Sequence, residues 1–221
     1  KPHCHTRTLV TSVRGKEGAL KRRVEQGGPA NDRYIDPSAS LGDGTTVGRF
    51  SVIGRDVTVG GGCVIGNSVT VHDGTRIGDN VRIDDGAVVG KLPMKAAISA
   101  TTDGASVEPA LIGDGCLIGA CAVVYAGCVL GDRTLVADLA SVRESVVVGD
   151  HTIIGRGVTV ENKCVIGSYC KLESECYITA YSTLEDRVFI APGVSTSNDN
   201  FIGRTEERFK HFKGITVRRG G

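Results

Sequence analysis

From Ile35 onward the sequence returns to an aliphatic side chain at every sixth residue: Leu41, Val47, Ile53, Val59, Ile65, Val71, Ile77, Ile83 and Val89. After residues 91–111 the same step resumes at Ile112 and continues through Ile118, Val124, Leu130, Val136, Val142, Val148, Ile154, Val160, Ile166, Leu172, Ile178 and Leu184 to Ile190. Twenty-four positions fit without a failure. A period of six does not fit a helix, whose face recurs every 3.6 residues. It fits a short flat strand followed by a corner. Two residues before each aliphatic position stands a second regular site holding a small side chain, among them Ala39, Thr45, Ser51, Cys63, Thr75, Cys116, Ala122, Cys128, Cys164, Cys170 and Cys176. Alternate residues of a strand face the same way, so both sites point inward. Gly follows the aliphatic residue in seven of the first ten repeats, which reads as a residue that relaxes the corner.

Three such hexads close one triangular coil, so the chain is expected to be all-β, a parallel β-helix of about eight coils stacked at roughly 4.8 Å. Composition agrees: aromatic residues are only 5% and Trp is absent, as a narrow interior of Val, Ile, Leu and small residues requires. Six of the eight cysteines fall on the small inward site and read as buried thiols rather than disulfides or metal ligands, which fits a cytoplasmic location. Formal net charge is +1, so no electrostatic case exists for nucleic acid or an anionic membrane as partner. No apolar run is long enough to span a bilayer.

Residues 1–34 lack the repeat and read as an N-terminal cap or linker, with one short helix expected over residues 16–26. His3 and His5 flank Cys4, a ragged terminus more than a metal site. The β-helix is expected over residues 35–221, with protruding loops at about 91–111 and 195–216. After the first loop the repeat returns 23 residues after Val89, one residue out of phase. The second loop carries Asn198, Asp199, Arg204, Arg208, Lys210, His211 and Lys213, and reads either as a solvated charged loop or as a lid over a substrate.

The hexad pattern resembles that of the left-handed β-helix acyltransferases, and the handedness comes from that resemblance. Residues Glu185-Asp-Arg-Val-Phe-Ile-Ala-Pro-Gly-Val-Ser-Thr-Ser-Asn-Asp199 resemble a stretch of the nucleotide-sugar N-acetyltransferases that act on 3-amino sugars. Val217-Arg-Arg-Gly-Gly221 is similar to the start of the segment by which that family re-enters the prism, so further C-terminal coils are expected in a longer chain. The resemblance implies an acetyl-CoA-dependent N-acyltransferase acting on a nucleotide-linked amino sugar, a homotrimer with sites between subunits, and no metal cofactor.

On that reading, backbone N–H groups near Ala191 and Gly193 hold the thioester, and Arg218 and Arg219 are either phosphate partners for CoA or ordinary corner charges. Glu175 stands where the family has an Asn, and is either a carboxylate that orients and deprotonates the amine or an exposed corner residue. Asn198 and Asp199 complete the catalytic candidates; Tyr177, Tyr181, Arg204 and His211 are the substrate-binding ones. His72 and His151 are alternative bases and fit a surface position better. The three histidines outside the terminus are far apart, against a metal-dependent carbonic anhydrase. An O-acetyltransferase of the same fold and a non-catalytic trimeric scaffold are the competing functions.

Overall fold

The structure is a computed structural model that describes residues 32–99, 101–102, 106–199, 201, 203–207, 211 and 213–221. The short helix expected at residues 16–26 and the His3–Cys4–His5 cluster lie outside the described residues.

Among the described residues twenty-five strands, nearly all two residues long, form three parallel sheets with eight, nine and eight strands, called A, B and C here in chain order. The chain visits A, B and C in turn, giving eight full coils and the start of a ninth: the left-handed β-helix architecture. Each strand pairs with the strand one coil on. In sheet A the inward row is Ile35, Ile53, Val71, Val89, Val124, Val142, Val160 and Ile178. In every two-residue strand the first residue faces out and the second faces in, as Val52–Ile53 and Tyr177–Ile178 show. The core is these aliphatic rows plus the small inward site, and it runs the length of the prism.

The small site has a chemical reason beyond size. At many of these positions the hydroxyl or thiol donates to the carbonyl fifteen residues on, at the corner of the next coil: Thr45 to Gly60 at 2.7 Å, Ser51 to Gly66 at 2.8 Å, Cys116 to Gly131 at 3.1 Å, Cys164 to Thr179 at 3.1 Å and Cys170 to Glu185 at 3.1 Å, whereas Ser182 donates back to Thr179 and Thr75 Oγ1 has no partner among the described residues. Cys, Ser and Thr therefore satisfy corner carbonyls that the strand ladder leaves over. Burial pushes the Cys128 thiol up to about 12 and those of Cys164 and Cys176 up to about 11, so these sulfurs stay protonated and are not nucleophiles. The cysteines of the described residues are free, and Cys121 alone among them is exposed.

Two details differ from the sequence reading. Except at Gly90 (φ 80°), where the first excursion leaves, Gly after the aliphatic residue does not supply a left-handed backbone; a Cβ there would meet the next coil's backbone, 2.5 Å from a Gly60 atom in the case of Gly42 and 2.4 Å from Gly66 O in the case of Gly48. The left-handed conformation falls two residues later, and side-chain-bearing residues such as Asn80, Arg133, His151 and Glu175 carry it there. The phase break at residues 91–111 is also only apparent. Val89 (sheet A) and Ile112 (sheet B) belong to the same coil, and the extra residues leave at the corner between them without disturbing the stack.

Candidate active site

Both excursions leave the prism at the same edge. The first departs in coil 4 after the sheet A strand Val88–Lys91 and returns at the sheet B strand Leu111–Ile112. The second departs in coil 9 after Ser195, which bridges to Tyr177 of sheet A, and returns at Thr216–Val217 of sheet B. Five coils at roughly 4.8 Å put the two departures about 24 Å apart along one A–B edge. The corner residues between them are Tyr125 and Ala126, Arg143 and Glu144, Glu161 and Asn162, and Thr179 to Tyr181.

Among the described residues, these corners carry the buried charge. Glu144 is 4% exposed and is the one ionisable carboxyl in the buried class among the described residues. Arg143 holds it with two N–H donors, Nε at 2.9 Å and Nη2 at 3.3 Å, and its Nη1 lies 3.5 Å from Glu161 Oε2. The guanidinium also sits 5.0 Å from the Tyr125 ring centre, with Lys91 Nζ 4.7 Å from the same ring. A register shift between Val89 and Lys91 aims Lys91 at Tyr125. The first excursion folds along the edge onto this cluster: Thr102 Oγ1 accepts from Arg143 Nη2 at 3.2 Å, and the Thr101 carbonyl accepts from Asn162 Nδ2 at 2.7 Å. Asn162 is 1% exposed, and its Oδ1 has no donor among the described residues. Above it stands Tyr177, whose hydroxyl is pushed up by burial and then by the charge of Glu161. The root of the second excursion is tied to the same place, since Thr196 Oγ1 donates to Tyr177 O at 3.0 Å and accepts from Thr179 N at 2.8 Å.

The residues expected from sequence divide among three edges. Tyr177, Tyr181, Asn198 and Asp199 belong to the A–B side, with Lys163 Nζ 5.7 Å from the Tyr181 ring centre. Asp199 spends its carboxylate on the loop's first turn, accepting from Phe201 N at 2.8 Å and Gly203 N at 2.9 Å. Farther along, Arg204 N bonds Phe201 O, and His211 lies 3.8 Å from Glu207 and against the Phe201 ring. Arg208 and Lys210 lie outside the described residues. Glu175, Ala191 and Gly193 stand on the C–A edge: Glu175 is exposed and paired with Arg156 at 3.0 Å, and Gly193 N donates to Ser174 O. Arg218 and Arg219 stand on the B–C edge, where Glu185 takes Arg218 Nη1 at 2.7 Å and the Arg219 N–H at 3.0 Å.

Of the two alternative bases, His72 lies on the A–B edge, in a shallow pocket with Gly90, Leu92, Val107, Pro109 and Ala126. His151 stacks on Tyr169 at 4.9 Å on the B–C edge, in a column with Arg133 and Arg187. Among the described residues no group of three or more His, Cys, Asp or Glu is placed to hold a metal ion. Among them, too, no helix is long and apolar enough to cross a membrane.

Sequence reasoning missed Arg143, Glu144, Glu161 and Asn162, though a signal was present. The B–C edge keeps Gly after the aliphatic residue from Gly42 through Gly167. The A–B edge loses it in four successive coils, at Tyr125, Arg143, Glu161 and Thr179. Sorting the repeat by edge, instead of by hexad, exposes this run.

Comparison with known proteins places the repeat and the fold. Residues 51–91 match the family described as "Hexapeptide repeat of succinyl-transferase", and residues 94–189 match "GMPPB C-terminal domain". No curated protein matches the chain. Among solved structures, the UDP-N-acetylglucosamine acyltransferase of Bacteroides fragilis superposes with TM-score 0.70 at 23% identity, over 76% of this chain and 67% of that one. The enzyme of the same name from Francisella novicida gives 0.69 at 22%, over 76% and 62%. The UDP-N-acetylglucosamine O-acyltransferase of Moraxella catarrhalis gives 0.62 at 20%, over 76% and 70%. The likeness is one of fold, and the chain spans about two thirds of each of these proteins.

Proposed function

We propose that this chain, a hexapeptide-repeat β-helix protein, is an acyl-CoA-dependent N-acyltransferase that acetylates the amino group of a nucleotide-linked amino sugar. One observation carries the reading: two excursions leave a single edge and frame a buried cluster of charged and polar side chains. A repeat built only for stiffness has no use for a buried Arg–Glu pair, which well-packed apolar residues replace at no loss of stability. The fold shared with UDP-N-acetylglucosamine acyltransferases supports a sugar nucleotide as acceptor.

The working unit is a homotrimer with sites between subunits. Sheet B presents Leu111, Val129, Val147 and Val165 as one exposed apolar row, a surface suited to a neighbour. Trimeric assembly also answers the scatter over three edges, since edges of different subunits then line one cleft. In that cleft Ala191 and Gly193 receive the thioester of acetyl-CoA, and Arg218 and Arg219 its phosphates. Tyr177, Tyr181, Arg204 and His211 hold the sugar nucleotide. Asn198 and Asp199 shape the lid over the reacting groups, and Glu175 approaches from the adjoining edge. The protein acts in the cytoplasm, where thiols stay reduced.

The test is release of free thiol from acetyl-CoA in the presence of nucleotide-linked amino sugars. Release that requires the amino sugar supports the reading. Release with hydroxyl acceptors only makes it an O-acetyltransferase, and no release with either leaves a scaffold.

A further inference from the structure

The A–B edge holds two acceptors with unused capacity. Glu161 is about four-fifths buried, yet among the described residues its carboxylate has one charged partner, Arg143 Nη1 at 3.5 Å. Glu144 beside it takes the shorter contacts from the same guanidinium, at 2.9 and 3.3 Å. The Asn162 side chain is committed through Nδ2 to Thr101, and its buried Oδ1 has no donor among the described residues. Buried acceptors left without donors cost roughly 1–3 kcal/mol each, so they call for an explanation, a missing ligand among them.

What these groups lack is a donor bearing positive charge. Arg143 has little left to offer, because Glu144, Glu161, Thr102 and the Tyr125 ring already occupy its guanidinium. Lys91 and Lys163 are turned to the Tyr125 and Tyr181 rings, at 4.7 and 5.7 Å, so at Glu161 a protonated amine finds a carboxylate whose one charged partner among the described residues is Arg143. Tyr177, on the next coil, is close enough for the charge of Glu161 to be felt at its hydroxyl, and it keeps its proton.

We infer that Glu161 is a catalytic residue of the proposed transfer, holding the acceptor ammonium and taking its proton, with Asn162 beside it for a second N–H. The inference rests on the N-acyltransferase reading, and it puts the proton acceptor on the A–B edge, in the role that the sequence offers to Glu175. The step balances as follows. One ammonium proton passes to the Glu161 carboxylate, and the freed nitrogen pair forms the C–N bond to the thioester carbonyl. The C–S bond breaks as the carbonyl re-forms, and the thiolate takes the second proton from nitrogen. Glu161 then returns its proton to solvent. An amine and a thioester become an amide and a thiol.

The experiment compares Glu161→Gln and Glu161→Asp with the parent trimer, reading kcat and KM for the amino sugar across pH, together with thermal unfolding with and without acetyl-CoA. Among the described residues the titratable groups facing Glu161 are Arg143 from the coil before, Tyr177 from the coil after and Cys164 beyond its own corner. Expected for Glu161→Gln is a loss of about 100-fold or more in kcat, with the acetyl-CoA-induced rise in midpoint retained and the acidic limb of the pH profile gone. Glu161→Asp restores part of the rate and the limb, which a merely structural carboxylate does not explain. If Glu161→Gln keeps kcat within about 3-fold of the parent, the inference fails while the activity stands. If the parent itself transfers no acetyl group to any amine, the activity fails and the inference falls with it.

Discussion

Replacing Arg143 by Met tests whether the A–B edge is a buried charge network or a surface decoration. Met keeps most of the hydrocarbon stem and removes the guanidinium. Lost with it are the 2.9 and 3.3 Å bonds to Glu144, the 3.2 Å bond to Thr102 and the contact with the Tyr125 ring. The larger effect falls on Glu144, which stays behind as a charge in a place 4% exposed. Breaking a buried pair from one side costs about 3–5 kcal/mol, and the 21% exposure of the Arg143 side chain puts the expectation at the low end, about 3. For a domain of this size that is a fall in Tm of roughly 6–12 °C. The double variant Arg143→Met, Glu144→Gln removes the more deeply buried of the two stranded charges, Glu161 being 19% exposed and partly hydrated, and recovers most of the loss, to within about 1 kcal/mol of the parent. Differential scanning calorimetry reads all three proteins, with limited proteolysis at residues 101–102 as a check on the docked excursion. A single variant as stable as the parent, or a double variant no better than the single, refutes the reasoning.

Other outcomes follow from the same structure. Leu172→Ala, at a fully buried inward position, lowers stability by about 3 kcal/mol, whereas Phe189→Ala, at an outward one 54% exposed, stays within about 0.5; urea titration separates them. A maleimide labels Cys121 in the native protein and reaches Cys63, Cys116, Cys128, Cys164, Cys170 and Cys176 only after unfolding, as mass spectrometry of the labelled peptides shows. Asp73 is held below the usual carboxylate range by Arg55, Asp85 by the Asn67 backbone N–H, and Glu185 by Arg218. Their folded values lie below the unfolded ones, so the stability they add is present above about pH 4 and lost as pH falls further; the melting temperature is flat from pH 7 to 5 and drops beneath 4. Gly60→Ala lowers the melting temperature by several degrees, because a Cβ there would lie 2.6 Å from Gly78 backbone atoms of the next coil.

The fold was legible because its determinant is local and repeated. Each hexad declares its own inward pair, and Ile53, Ile154 and Leu172 need no distant partner to be recognised as core. The excursions were legible as breaks, but their common edge was not, since a count in sixes carries no label for sheet A, B or C. Once the register is known, the departures after Val88–Lys91 and after Ser195 fall on one side of the prism. The site was harder for the same reason. Arg143, Glu144, Glu161 and Asn162 look like ordinary corner polars along the chain, and only the stacking of corners eighteen residues apart makes a cluster of them. Glu175 drew notice because it departs from a family pattern, yet in one subunit it faces Arg156 on another edge. His72 and His151, singled out as the common titrating base, turn out to line a small pocket and to stack in a column.

The central claim is that ligands bind along the A–B edge between the two excursions. Hydrogen–deuterium exchange of the trimer, with and without acetyl-CoA and a nucleotide-linked amino sugar together, addresses it directly. The account predicts new protection in peptides covering residues 101–102, 123–126, 141–145, 159–163 and 177–181 and the root of the second excursion at 195–199. Protection confined to peptides of the other two edges, or none at saturating ligand, contradicts it.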